Sequence, residues 1–465
     1  MKTLLISTLS LFLLFSSTAQ HEIGHMTKTF VDASRSNRNI QTEIYYPAVT
    51  AGNNTVAASG EYPVIVFGHG FVMAWDAYAN LWEEFVPRGY IMVFPRTEGN
   101  LTSTNHQQFG WDLQYLVTEI QNEGNLPSSY IYNAVAPATA LMGHSMGGGA
   151  AFLAADSLCT NGNTNLKTLI GLAPAESSTN GVSSIASASS VTVPSLILSG
   201  IQDGVTPPVD HHIPMYNGLA STCKTILNII GGGHCYFANS SFTCDFGEGT
   251  SSTGIAITRT EQHQVTFDFV NLWLDYTLKN ECNAFSVFQD SVATSSRITY
   301  NQICSTVIPT IDATITQTST QISSNENGAT AYQWLDCGNN YAPIANETNQ
   351  TFSPSLNGSY AVEVTVNGCK ETSNCVSFTS SLGIDDIDNI NFSIYPNPAT
   401  DNFTINSDLK DSYSFNITNL NGKIVHTETN MINGKVISVN NLEKGSYFIV
   451  IYSDNQKIIK RFIKQ

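Results

Sequence analysis

Gly143-His144-Ser145-Met146-Gly147 follows a short apolar run, Ala138 to Met142, and precedes an Ala-rich segment from Gly148 to Leu158. That order spells strand, sharp turn and helix, with a serine at the apex. A serine held on so tight a turn needs glycine on either side, because a Cβ there would meet the neighbouring strand or helix. The helix that follows aims its first amides at any negative charge developing beside the serine. The same spelling also arises by chance as a glycine-rich turn in an ordinary α/β sheet. Its meaning therefore depends on which residues come after it, and in what order.

The chain around this stretch has 465 residues, room for roughly two to four domains. A formal net charge of −17 without a basic cluster argues against nucleic acid and against anionic membrane surfaces as partners. Lys2, an apolar run from Leu4 to Phe15 and then Ser16-Ser17-Thr18-Ala19 form the three-part pattern of an export signal, expected to occupy residues 1–19. That run is short for a membrane span and nothing later is longer, so no transmembrane segment is expected. Nine cysteines in an exported chain are expected to be mostly paired, with at least one left over, and none shows zinc spacing. Cys235 and Cys244 bracket one loop and are expected to pair; Cys159 and Cys223 are a second expected pair.

His21-Glu22-Ile23-Gly24-His25 matches the H-E-x-x-H spelling of zinc peptidases, which works only on a helix. With a glycine inside it and a strand-like run after it, the stretch reads instead as a solvated leader. From Gln41 to Lys279, short apolar β-rich runs alternate with helical spacing, which implies a mostly parallel sheet covered on both faces. The expected organisation is an α/β catalytic domain over 20–290. After Asn280 helical periodicity disappears and the texture turns to Thr, Ser, Asn and Val. Alternating runs around Trp334 and from Tyr360 to Val366, with Asn-Gly turns, suggest an Ig-like β-sandwich over 305–380. A polar linker from Ser380 to Asn389 leads into a small all-β unit within 381–465.

A nucleophilic serine in such a sheet needs an acid and then a histidine later in the chain. Asp203 follows the run Ser195 to Ser199, and His234 follows Thr225 to Ile229 on a triple-glycine turn. Both sit at carboxyl ends of strands, where sites in open α/β sheets collect. His234 is the expected base for Ser145, Asp203 orients it, and the backbone amides of Phe71 and Met146 are the expected oxyanion donors. Such chemistry requires no metal or cofactor. Asp156 and Asp210 are rivals for the acid, and His69, His106, His144, His211 and His212 for the base. His69 and His144, in the two turns beside the nucleophile, are read as shaping the substrate pocket.

These residues, with Ala173-Pro174-Ala175-Glu176-Ser177-Ser178-Thr179-Asn180 and Val193-Pro194, resemble the polyester hydrolases of the cutinase and dienelactone-hydrolase group, which includes the poly(ethylene terephthalate) hydrolases. The resemblance covers roughly Thr27 to Asn280. It implies the α/β-hydrolase fold and a secreted serine esterase acting on lipid-like, short-chain or polyester substrates, with Ala175 as a further substrate contact. The segments Tyr395-Pro396-Asn397-Pro398, Leu420-Asn421-Gly422-Lys423 and Lys444-Gly445-Ser446-Tyr447 resemble the sorting domain of type IX secretion, which implies that secretion machinery as a partner and delivery to the outside or the outer surface. The alternative from another class is a surface adhesin or polymer-binding protein whose hydrolase-like domain is inert.

Overall fold

The computed structural model describes residues 21–177, 180–305, 308–379, 392–407, 413–432, 434–453 and 456–465. The expected export signal and the linker from Ser380 to Asn389 lie outside the described residues. The chain divides into two units, Met1–Ser380 and Ser381–Gln465.

In the first unit the strands are β1 (Glu22–Asp32), β2 (Arg38–Ala48), β3 (Gly52–Asn53), β4 (Tyr62–Gly68), β5 (Ile91–Pro95), β6 (Val135–His144), β7 (Leu166–Leu172), β8 (Ser195–Gly200), β9 (Cys223–Ile229) and β10 (Ile298–Cys304). Among the described residues they form one sheet in the order β10-β9-β8-β7-β6-β4-β5-β2-β1-β3. From β9 across to β5 every neighbouring pair is parallel, and antiparallel pairing appears only at β2 with β5, β1 with β2 and β10 with β9. The helices are α1 (Ala79–Phe85), α2 (His106–Gly124), α3 (Met146–Thr160), α4 (Ser184–Ser187), α5 (His212–Gly218), α6 (Phe242–Ser251), α7 (Arg259–Lys279) and α8 (Cys282–Thr294).

The period of two in β4 decides which layer each residue serves. Val64 and Val66 face one core with Phe109, Leu113 and Phe152, under α2 and α3. Ile65 and Phe67 face the other, with Leu81, Phe269 and Trp273, under α1, α7 and α8. A strand buried on both faces has no polar side to show, which is why β4 and β5 are continuous apolar runs. α3 is buried on almost its whole circumference, and its Gly and Ala residues let it lie close against the sheet. α7 starts at a reciprocal Thr258–Glu261 capping box and stops at Asn280 in the left-handed conformation.

Four expectations change. His21–His25 is not a solvated leader: Glu22–His25 open strand β1, where His25 bonds Glu43 Oε2 at 2.8 Å and Asn53 Oδ1 at 2.8 Å. Helical structure does not end at Asn280, since α8 follows at once and buries Phe285, Phe288 and Val292. The sheet also runs past residue 290, to β10. Finally, Cys223 pairs with Cys304 and leaves Cys159 free, because β10 lies antiparallel to β9 with Cys304 opposite Cys223. The Cys235–Cys244 disulfide is present.

Beyond β10, a three-stranded and a five-stranded sheet carry buried Trp334, Phe352, Tyr360 and Val362 in one core. Cys337–Cys375 closes this region, and Cys282–Cys369 ties it to α8. The second unit is all-β among its described residues, with a three-stranded and a four-stranded sheet and a core that includes Phe403, Phe415, Ile449 and Phe462.

Candidate active site

Because β6, β8 and β9 run parallel, the residues that follow them emerge at one edge of the sheet. Ser145 follows β6 at φ 53° and ψ −122°, a conformation side chains rarely adopt. Its neighbours hold it there: Ser145 N–H donates to Leu172 O at 3.0 Å, and Ser145 O accepts from Ala175 N–H at 2.8 Å and Gly149 N–H at 3.1 Å. The turn requires glycine because a Cβ on Gly147 would stand 2.1 Å from the Gly68 carbonyl, and one on Gly143 would stand 2.3 Å from Gly147 O. β4 and β6 are in register with Gly68 opposite Gly143, and a Cβ on Gly70 would stand 3.2 Å from His144 Nδ1, so the turn after β4 lies against the elbow.

Asp203 and His234 meet. His234 Nδ1 donates to Asp203 Oδ2 at 2.7 Å, and both residues are buried. The second oxygen, Asp203 Oδ1, accepts the amides of Val205 (2.9 Å) and Thr206 (2.7 Å), while the Thr206 hydroxyl reaches Oδ2 at 2.9 Å. Burial pushes the Asp203 carboxyl up, but the His234 hydrogen bond and charge, His212 and the Thr206 amide outweigh it and hold it below the ordinary carboxylate value. With Nδ1 committed to Asp203, Nε2 is the nitrogen left to act as a base. No hydrogen bond joins Ser145 Oγ to His234 among the described residues.

The loop carrying His234 is clamped from several sides. Gly233 exchanges two hydrogen bonds of 2.9 Å with the amide of Gln262. The buried carboxylate of Glu248 accepts the backbone N–H groups of His234 and Cys235. Arg259 donates to Cys235 O and Ala238 O and pairs with Asp245 at 2.6 Å. The Cys235–Cys244 disulfide binds the same loop to α6.

His144 is fully buried, so its ring is closed to a substrate. Its Nε2 lies 3.0 Å from the carbonyl oxygen of His234, which can only accept, so Nε2 carries the proton. Nδ1 is then the acceptor for Tyr78 Oη–H at 2.8 Å, and Tyr78 Oη accepts Gly70 N–H at 2.8 Å. One chain of bonds therefore joins Gly70, the elbow residue His144 and the backbone of His234. Burial, followed by the charge of His234, lowers the His144 pKa to about 3, which keeps the ring neutral. His69 is also buried, with its two ring nitrogens against Gly70 O (3.0 Å) and Thr97 O (2.9 Å). Ala175 is half-buried and meets Ser145 through its backbone. Phe71 is 43% exposed. Of the rivals, Asp156 lies on α3, Asp210 is exposed ahead of α5, and His106 opens α2. Thr206, His212, Tyr78, Glu248 and Gln262 were not singled out from sequence for these roles, and no local spacing marks them.

Residues 17–252, a little over half of the chain, match a family described as PET hydrolase-like, and residues 393–465 match the secretion system C-terminal sorting domain. Cutinase 2 of Thermobifida cellulosilytica is 28% identical over 196 residues, which is 41% of this chain and 64% of that protein. Cutinase cut1 of Thermobifida fusca is 28% identical over 196 residues, 41% of this chain and 52% of its own. Cutinase est1 of Thermobifida alba is 29% identical over 195 residues, 41% of this chain and 56% of its own. The chain thus spans between about half and just under two thirds of the length of the curated relatives it matches. No helix among the described residues is long and apolar enough to cross a membrane.

Proposed function

The chain belongs to the PET hydrolase-like family and carries a type IX sorting domain, and on that premise we propose that it is a secreted or cell-surface serine hydrolase that cleaves carboxylic esters through Ser145, His234 and Asp203. One observation carries the reading: a serine at φ 53° and a 2.7 Å His–Asp pair share one edge of a parallel sheet. Ser145 Oγ attacks the ester carbonyl carbon while His234 Nε2 takes its proton. The carbonyl oxygen becomes an oxyanion held by the amides of Met146 and Phe71. Collapse breaks the bond to the alkoxy oxygen, which leaves as the alcohol with the proton from His234. Water, deprotonated by His234, then attacks the acyl-enzyme, and Ser145 recovers its proton as the acid departs. Asp203 keeps the imidazole in one tautomer and stabilises its protonated form.

The substrate class follows from the lip of the site. Phe71, Ile201 and Val205 are exposed apolar residues on the loops that carry the oxyanion amide and Asp203. They favour esters with an extended apolar body, lipid-like or polymeric, beside short-chain ones. The region over 305–380 is part of the same proposal as an Ig-like sandwich appended to the hydrolase domain, with 381–465 as linker and sorting domain. Replacing Ser145 with Ala abolishes hydrolysis of a short p-nitrophenyl ester while circular dichroism stays unchanged; retained hydrolysis rejects the assignment. Activity across acyl-chain lengths and on a polyester film then ranks the substrates.

A further inference from the structure

Next to Asp203 lies a second histidine to which the esterase reaction assigns no part. His212 opens α5 and is fully buried. Its Nδ1 is 2.7 Å from Ser199 Oγ, and its Nε2 is 3.1 Å from Thr206 Oγ1 and 3.9 Å from Asp203 Oδ2. Thr206 Oγ1 stands at a fork: it is 2.9 Å from Asp203 Oδ2 and 2.9 Å from His234 Nδ1, with Ala173 O farther off at 3.4 Å. The hydroxyl has one proton, and the carboxylate is the strongest acceptor facing it. Thr206 therefore donates to Asp203 and must accept from His212, so His212 carries its proton on Nε2. Nδ1 is then the acceptor for Ser199 Oγ–H. The bonds run in one direction, from Ser199 through His212 and Thr206 to the Asp203 carboxylate.

We propose that His212 and Thr206 are positioning residues of the triad: through one directed chain of hydrogen bonds they spread the charge of Asp203 and fix its carboxylate against His234 Nδ1. The inference rests on the triad reading above and adds a layer to it. The Thr206 hydroxyl shares Asp203 Oδ2 with the imidazole N–H, so its loss would leave that oxygen to His234 alone and strengthen the carboxylate's pull on the imidazole proton. His212 can serve as a fixed donor because burial, against the attraction of Asp203, lowers its pKa to about 3. The other titratable groups facing this cluster are His144, whose Nε2 meets His234 O; His211, whose Nδ1 accepts Glu176 N–H, with Asp210 and Glu176 acting on it; and Glu248 on the His234 amide. None of them bonds Asp203 Oδ2. The Thr206 hydroxyl is thus the local lever on that oxygen.

The test is a double-mutant cycle on the full-length protein, using a soluble p-nitrophenyl ester. Thr206→Val keeps the shape and removes the hydroxyl. It is expected to raise the acid limb of kcat/KM by about half to one pH unit and to lower kcat about tenfold with KM unchanged. His212→Leu is expected to shift the limb in the same direction by less, and His212→Gln, which keeps an N–H towards Thr206, to restore most of it. In the Thr206→Val background, His212→Leu is expected to add nothing. The low-field resonance of the His234 Nδ1 proton should move in Thr206→Val, a readout that holds even where His212→Leu folds poorly. An unmoved acid limb in Thr206→Val, or a full His212→Leu effect without the Thr206 hydroxyl, overturns the proposal. Activity surviving Ser145→Ala would instead overturn the triad itself.

Discussion

Gly147 has no room for a side chain, since its Cβ would meet backbone carbon and oxygen of Gly68 at 2.1 Å, and backbone cannot swing aside. Gly147→Ala is expected to cost about 3 kcal/mol or more and to remove esterase activity, measured by denaturant unfolding and p-nitrophenyl ester assay. Wild-type stability in that variant would show that the turn is looser than described. Glu248 is a second such residue. Its carboxylate takes two backbone N–H groups beside the base, so Glu248→Gln, which keeps size but lacks the charge and one acceptor, is expected to lower kcat about tenfold with a small change in KM. Ser145, Asp203 and His234 could be singled out because they stand at strand ends in a fixed chain order. Glu248, Tyr78 and His212 were not, because each acts across contacts between distant segments, and no spacing in the chain between residues 78 and 144 announces that their rings will meet.

At the level of elements, His234 is held by a strap made of α6 and the start of α7. The strap contributes Glu248, Asp245, Arg259 and Gln262, and the Cys235–Cys244 disulfide anchors it. Replacing both cysteines with Ser removes the cross-link and is expected to destabilise the protein by about 2–4 kcal/mol and to lower kcat through a looser His234; calorimetry and steady-state kinetics check it. An unchanged melting temperature and kcat would mean the hydrogen bonds alone hold the loop. α5 is anchored in another way. The buried ammonium of Lys224 donates to the carbonyls of Tyr216, Asn217 and Leu219 at its C-terminal end, which fixes the helix that begins with His212. The alternation of strands and helices up to α7 could be read from apolar runs. α8 was hidden by its Ser, Asn and Val content, although Phe285, Phe288 and Val292 are spaced as one helical face. β10 was hidden because it is an edge strand, mostly exposed, with little apolar alternation to show. Missing it also misassigned Cys223, whose partner arrives on that strand.

For the whole molecule, two of the buried histidines make acid the weak side. The pKa values of His144 and His212 are both lowered to about 3 by burial, against an ordinary value of 6.5. The unfolded chain takes up protons at these rings below about pH 6.5 and the folded chain does not, so their contribution is complete above that pH and declines as pH falls towards 3. Each ring can account for up to about 1.4 kcal/mol per pH unit in that window. Melting temperature should therefore drop steadily from pH 7 to pH 5, and His212→Gln should flatten the slope; a melting temperature constant over that range would contradict this. Residues 381–465 form a separate unit matching a secretion sorting domain, so a chain ending at residue 380 is expected to keep its ester hydrolysis while losing delivery to the cell exterior. The central claim is that Ser145 is a nucleophile activated by His234. It is tested most directly by a fluorophosphonate probe with peptide mapping of the label. Stoichiometric labelling of Ser145 that disappears in His234→Ala is the predicted result; an unlabelled Ser145 in protein that still hydrolyses esters would contradict it.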